Sequence, residues 1–203
     1  MIDPHTSDNA DRRLIITIVS GLPRSGTSMM MKMLEAGGIP PLTDHLRAAD
    51  EDNPQGYYEF ERVKQLPKGD LAWLPDAQGK AVKVIAALVP HLPDSYRYRV
   101  IFMQRAMPEI LASQRQMLIR RGEDPDKISD DVMAKLFEKH LWQVNDWISR
   151  QPNVERLDVN YNEMLKSPRP YLERVNALLG GQLDVEKMAQ VADPSLHRQR
   201  KES

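Results

Sequence analysis

The chain reads as an α/β protein of three layers built on a mainly parallel central sheet. Three observations predict this. β-branched apolar runs recur at Leu14–Val19, Ala81–Ala87, Tyr98–Gln104 and Val154–Asn160, and segments with helical apolar spacing lie between them. The first run breaks at Gly21 and Gly26, and a helical pattern resumes at once. The runs are also short and nearly continuous in their apolar character, as expected of strands covered on both faces.

The first element is the strand from Leu14 to Val19, followed by Gly21-Leu-Pro-Arg-Ser-Gly26 and then by Met29, Met30, Met33 and Leu34 at helical spacing. A strand, a glycine-bracketed loop and a helix make an anion cradle, because loop N–H groups and the first helical turn point at one place. The helix end contributes about 0.3–1 kcal/mol toward an anion, so side-chain cations must supply much of the rest. A Walker A loop is written G-x-x-x-x-G-K-[ST]. Gly21 to Ser28 reads G-L-P-R-S-G-T-S, with matching glycine spacing but with Thr27 where the lysine belongs. The loop cation is Arg24 instead. Arginine forks two phosphoryl or sulfuryl oxygens where lysine acts as a point charge, and Thr27 and Ser28 add hydroxyl donors. The stretch reads as a phosphate loop of nonstandard type, with a generic Gly-Pro turn before an amphipathic helix as the alternative, and the expected domain is P-loop NTPase-like.

Gly37-Gly38 ends the helix and Ile39-Pro-Pro41 prevents its quick resumption. Residues 42–80 then form a long irregular segment, acidic at Asp50–Asp52 and proline-rich around Trp73. An excursion leaving a phosphate loop is where an α/β enzyme places substrate contacts; a solvated connector with turns at Asn53-Pro54 and Gln55-Gly56 is the alternative. Tyr57, Tyr58 and Phe60 argue that part of it packs. The second strand, Ala81–Ala87, carries Lys83 inside an apolar run. That charge is costly there unless it reaches an anion or a strand end; the other reading is a lysine snorkelling to solvent. His91, in Pro90-His-Leu-Pro93, belongs to a turn. The third strand ends at Arg105, on the side where open α/β sheets bind ligands.

Pro108 starts a helix whose apolar side carries Ile110, Leu111, Met117 and Leu118. After a loop at 122–127, Ser129 caps a long helix to Arg150 with Phe137, Leu141, Val144, Trp147 and Ile148 as its core stripe. Val154–Asn160 is the fourth strand and leads into Tyr161. Helices follow at Pro170–Leu179, ended by Gly180-Gly181, and near Val185–Ala192.

The 203 residues suit one domain, taken as 14–203, with the polar residues 1–13 expected to form a disordered tail. A net charge of −1 offers no broad basic surface for nucleic acid, so any anion site is local. With no cysteine there is neither disulfide nor thiolate chemistry, which fits a cytoplasmic protein. No apolar run reaches the ~18 residues of a membrane span, and the start lacks a signal-peptide pattern.

The run Pro23-Arg-Ser-Gly-Thr-Ser28 resembles the 5′-phosphosulfate loop of the sulfotransferases, enzymes that move a sulfuryl group from PAPS (3′-phosphoadenylyl sulfate). The arginine form is similar to tyrosylprotein sulfotransferases and bacterial members. Arg105-Ala-Met-Pro-Glu-Ile-Leu-Ala-Ser113 resembles the family's 3′-phosphate site, an arginine at a strand end and a serine on the next helix, with Ala106 replacing the usual asparagine. Asp52-Asn-Pro-Gln-Gly-Tyr-Tyr-Glu59 and the tail from Asp193 through Arg198, Arg200 and Lys201 are similar to bacterial members. Tyr161-Asn-Glu-Met-Leu-Lys-Ser-Pro168 resembles the Y-E-D-L-x-x-x-P signature, with Asn162 and Met164 departing from it.

The resemblance implies PAPS as donor and PAP (3′,5′-adenosine diphosphate) as product, with no metal. Its cofactor-binding residues fall on Arg24, Ser25, Gly26, Thr27, Ser28, Arg105, Ser113 and Tyr161. Lys83 corresponds to the strand lysine that reaches the sulfuryl group, and Ile85 stands where cytosolic members have a catalytic histidine. Asp44 matches the region of the tyrosylprotein enzymes' catalytic glutamate and is the expected base, with His45 and Glu59 as alternatives. The acceptor is a hydroxyl or amine of a small molecule, glycan or peptide. Two other functions fit the same residues, a non-catalytic PAP-binding protein and a P-loop small-molecule kinase.

Overall fold

The computed structural model describes residues 15–44, 46 and 56–192. The tail expected at 1–13, Leu14, His45, the 47–55 stretch and the basic segment from Asp193, with Arg198 and Arg200, lie outside the described residues. Four parallel strands, β1 (Ile15–Gly21), β2 (Ala81–Lys83), β3 (Arg97–Gln104) and β4 (Val154–Asn160), form one sheet in the order β2-β1-β3-β4. The helices are α1 (Thr27–Ala36), α2 (Leu74–Ala77), α3 (Met107–Arg120), α4 (Asp130–Ser149), α5 (Tyr161–Lys166), α6 (Pro168–Leu178) and α7 (Val185–Gln190). This is the expected three-layer α/β arrangement.

Strand side chains alternate between faces, and here both faces are apolar. Ile16, Ile18, Val100 and Phe102 point to one side, where Trp73, Leu74, Ile110, Phe137 and Val144 cover them. Val19, Ile101, Met103 and Val159 point to the other, against Met30, Met33 and Leu34 of α1, Leu172 and Val175 of α6 and Met188 of α7. Burying each such side chain contributes about 1.5–3 kcal/mol. Among the described residues no helix is long and apolar enough to cross a membrane.

The strand order decides where a ligand can sit. β1 leads through α1 to β2 on one side, whereas β3 leads through α3 and α4 to β4 on the other. α1 packs on one face of the sheet, and α3 and α4 pack on the opposite one. The two connections therefore diverge at the carboxyl ends of β1 and β3 and open a crevice there. Gly21 and Met103 are register partners at that point.

Two differences from the sequence reading stand out. The second strand is confined to Ala81–Lys83, although the Val84 N–H still donates to Val19 O at 3.0 Å. Beyond it the chain forms a 3₁₀ helix over Ala86–His91 that contains Pro90, which cannot donate to a ladder. The irregular segment also contains a 3₁₀ helix at Glu61–Lys68 and the short α2. It is anchored by Trp73, which is fully buried with its Nε1–H donating to Asp70 O at 3.1 Å.

Gly21 is required by contact as well as by conformation. At φ 148°, a Cβ there would stand 2.7 Å from the Met103 carbonyl oxygen and 2.5 Å from Ser25 Oγ. Gly21→Ala is expected to destabilise the protein by about 1–3 kcal/mol, the scale of a residue held in a disfavoured conformation. Urea denaturation should show a lower midpoint at unchanged slope; a wild-type midpoint would mean that the β1–β3 junction can widen.

Candidate functional site

The crevice is lined first by the loop after β1. Its turn is closed by Ser25, whose N–H and hydroxyl both donate to Leu22 O, at 3.2 and 2.7 Å. Ser25 is almost fully buried, so its hydroxyl shapes the loop from within. Arg24 holds φ 68°, a left-handed conformation that costs a non-glycine residue on the order of 1–3 kcal/mol. Gly26, at φ 98°, opens α1 without a side-chain cap. The first-turn N–H groups of a helix have no intrahelical acceptor, so those of Thr27 and Ser28 mark the anion-binding end of α1. A Cβ at Gly26 would meet the Tyr161 ring at 2.3 Å, so the loop and the β4–α5 corner are in direct contact.

Arg24 Nε donates to Ser113 Oγ at 2.9 Å, which joins two motifs separated by 89 positions. Arg105 Nη1 donates to the Arg24 carbonyl at 3.1 Å. The Arg105 guanidinium lies over the Tyr161 ring, 4.7 Å from its centroid, a cation–π contact. Arg105 Nε donates to Glu109 Oε2 at 2.8 Å, and the two side chains are only 7% and 12% exposed. Asn162 Nδ2 donates to Glu109 Oε1 at 2.8 Å. Burial pushes the Tyr161 phenol upward; Arg105 and Arg24 oppose the shift and Glu109 adds to it. Tyr161 therefore faces the crevice as a neutral phenol. The structure brings Arg24, Gly26, Arg105, Ser113 and Tyr161 into one place.

A second cluster lies at the end of β2. Lys83 is 8% exposed; its Nζ donates to the Tyr57 carbonyl, lies 3.5 Å from Ser28 Oγ and stands 3.9 Å from Glu59 Oε1. Ser28 Oγ is 3.4 Å from the same Tyr57 carbonyl. Ser28, on the first turn of α1, thus connects the loop to the strand-end lysine, and no hydrogen bond joins Thr27 to it among the described residues. The following residue, Tyr58, holds φ 51° and its hydroxyl donates to Glu35 Oε2 at 2.6 Å. Burial and that bond hold the phenol far above its usual range.

Asp44 has different surroundings. Its Oδ2 accepts from the Glu61 N–H at 2.6 Å and its Oδ1 from the Leu46 N–H at 3.1 Å. It caps the start of the 3₁₀ helix at Glu61–Lys68, while its own N–H and the Thr43 hydroxyl bond the Glu59 carbonyl at 3.4 and 2.8 Å. The residues that the sequence reading passed over are Glu109, the Asn162 amide and the Tyr57 carbonyl. Glu109 had a signal: it stands four residues after Arg105 at the start of α3, the spacing of a helical ion pair.

No family model and no curated protein sequence matches the chain. Among solved structures it is similar to the sulfotransferase domain of the Synechococcus PCC 7002 olefin synthase, at TM-score 0.53 and 16% identity over 90% of this chain and 85% of that one. It is also similar to a sulfotransferase from Alicyclobacillus acidocaldarius, at TM-score 0.48 and 16% identity over 81% of this chain and 80% of the other. Mouse sulfotransferase SULT7A1 complexed with PAP aligns at TM-score 0.46 and 20% identity, over 89% of this chain and 63% of that one. The chain has the fold of the sulfotransferases, as the first of these similarities shows.

Arg105 binds the loop carbonyl, the Glu109 carboxylate and the Tyr161 face together, so its loss should be felt without any ligand. Arg105→Ala is expected to destabilise the free protein by about 3–5 kcal/mol, the cost of removing one partner from a buried ion pair. Replacing both members with apolar residues, Arg105→Met with Glu109→Leu, should cost much less. Urea unfolding of the two variants measures the difference; equal losses would locate the effect in the loop carbonyl bond rather than in the charge pair.

Proposed function

We propose that this chain is a PAPS-dependent sulfotransferase that moves a sulfuryl group to a hydroxyl or amine of a small-molecule, glycan or peptide acceptor. The observation that carries the proposal is the joining of the loop cation to the strand-end pair. Arg24 bonds Ser113 and Arg105 bonds the Arg24 carbonyl, and this juxtaposition at the switch point of a sulfotransferase fold supports a reading with two anion sites on one crevice. A donor with a phosphosulfate at one end and a 3′-phosphate at the other needs two such sites. The setting proposed for the reaction is the cytoplasm.

In this reading Arg24, the N–H groups of Thr27 and Ser28, and the Ser28 hydroxyl hold the 5′-phosphosulfate, while Gly26 lets the backbone approach it and Ser25 keeps the loop turned. Arg105 and Ser113 hold the 3′-phosphate, and Tyr161 packs beside the nucleotide. PAPS supplies the activated sulfuryl group. The acceptor oxygen or nitrogen forms its bond to sulfur as the bridging S–O bond breaks, and the bonding pair leaves on the phosphate of PAP. Lys83 meets the charge that grows on that bridging oxygen, an electrostatic contribution available only from a group fixed in advance. Its burial and its contacts with Tyr57 O and Ser28 supply the fixing.

The acceptor's proton needs a base. Asp44 and Glu59 are its described candidates, and their surroundings support Glu59. Both Asp44 oxygens accept backbone N–H groups, so protonating the carboxylate would disturb the cap. Glu59 faces Lys83 at 3.9 Å, beside the group that meets the leaving oxygen. Asp44 then acts on chemistry through the segment it ties to the Glu59 carbonyl.

PAP should raise the thermal midpoint without any metal, while ATP with Mg²⁺, the ligand of a kinase, should raise it far less. Equal shifts with PAP and 5′-AMP would remove the 3′-phosphate site from the account. With an acceptor found by screening labelled PAPS, Glu59→Gln should lower turnover by about 10²–10⁴ with PAP affinity unchanged. Asp44→Asn should instead cost about 0.5–2 kcal/mol of stability, as lost caps do, and largely spare turnover. The reverse pattern would return the base to Asp44, and full turnover in both variants would leave neither as the base.

A further inference from the structure

We propose that Glu109, held in place by Asn162, is a positioning residue that sets the discrimination for a 3′-phosphate by fixing one edge of the Arg105 guanidinium. The proposal rests on the functional reading above and assigns to this site two residues that reading does not use.

A guanidinium can rotate about its last bonds, and an arginine that wanders binds an anion with less geometric selectivity than one held in register. Arg105 is held at three points. Its Nε–H is taken by Glu109 Oε2 at 2.8 Å, one Nη1–H by the Arg24 carbonyl at 3.1 Å, and its face by the Tyr161 ring. Its Nη2 amine bonds none of the described residues, so the two held donors leave that amine to an incoming phosphate. Glu109 is itself braced: Asn162 Nδ2 donates to its Oε1 at 2.8 Å from the first turn of α5, the helix that carries Tyr161. The cation is thereby fixed from α3, from the loop and from α5 at once.

A carboxylate this near an anion site opposes the anion by charge and helps it by geometry. The burial of the pair decides for geometry. The two side chains, 7% and 12% exposed, form an ion pair at 2.8 Å, so to an approaching phosphate they present an oriented dipole whose positive end is Arg105. The remaining Asn162 acceptor, Oδ1, is buried with no partner among the described residues. Asn162 thus serves this cluster through its donor, at the cost of an unsatisfied carbonyl.

The test is the ratio of dissociation constants for 5′-AMP and PAP, measured by calorimetric titration of the full chain without metal. Glu109→Gln should lower the AMP-to-PAP ratio about tenfold, the scale of one charge-assisted hydrogen bond, with 5′-AMP affinity little changed. Asn162→Ala keeps the charge and removes only the brace, so it should move the ratio the same way by less. A structural role alone would weaken both ligands together and leave the ratio where it was. An unchanged ratio in folded Glu109→Gln, or a higher one from the loss of a repelling carboxylate, overturns the proposal. If that variant does not fold, Asn162→Ala decides, and an unchanged ratio there overturns it equally. A wild-type protein that binds 5′-AMP as tightly as PAP overturns the 3′-phosphate reading itself and this proposal with it. A wild-type preference that survives in both variants overturns the positioning role alone.

Discussion

The crevice depends on one hydrogen bond, from the Arg105 guanidinium at the end of β3 to the carbonyl of Arg24 in the loop after β1. The loop residue can present its carbonyl inward because its backbone is left-handed, a conformation unfavourable for arginine. Parallel pairing brings the carboxyl ends of the two strands side by side, and the cation bridges the gap that their diverging connections leave. Backbone strain at one residue, a buried charge at another and the strand order are therefore a single constraint. None of the three is favourable alone; together they place a fixed positive edge where the sheet has an opening.

The two cations beside the loop's arginine are balanced differently. Arg105 faces a nearly buried carboxylate at 2.8 Å, which in turn takes an amide donor. Lys83 rests on a backbone carbonyl and on a hydroxyl, with the Glu59 carboxylate farther off at 3.9 Å. A tight ion pair orients a group and limits the net charge it offers, whereas an ammonium whose carboxylate stands 3.9 Å away keeps more of its charge. The first suits recognition of a part that does not react, and the second suits charge that appears during bond breaking.

The sequence made the frame of the site legible for definite physical reasons. Two glycines at P-loop spacing force a turn that few other residues accept, and a lysine inside an apolar strand needs a partner. The pairing of Arg105 with Ser113 came from the wording of a motif, and no periodicity would have found it. Glu109 was hidden because an i,i+4 ion pair at the start of a helix is usually a solvated surface pair. What sets it apart is the Asn162 amide, which reaches its carboxylate from α5. The Tyr57 carbonyl was unreadable in principle, since every residue has one and only the path of the chain brings it to Lys83. The second strand was read too long because Val84, Ile85, Ala86 and Ala87 are as apolar in a 3₁₀ helix as in a strand, and Pro90 lies beyond the run.

The helix that follows the loop rests on the buried thioethers of Met29, Met30, Met31 and Met33. Unbranched side chains with several rotatable bonds fill irregular space, so that layer specifies volume more than shape and accepts exchanges of equal size. Gly26, three residues before the first of them, accepts no added atom at all. Mutational tolerance therefore rises steeply within a single turn. Descendants of this sequence are free to drift along the supporting face of α1 while the residues that open it stay fixed, so the cradle can outlast most of the chemistry that props it up.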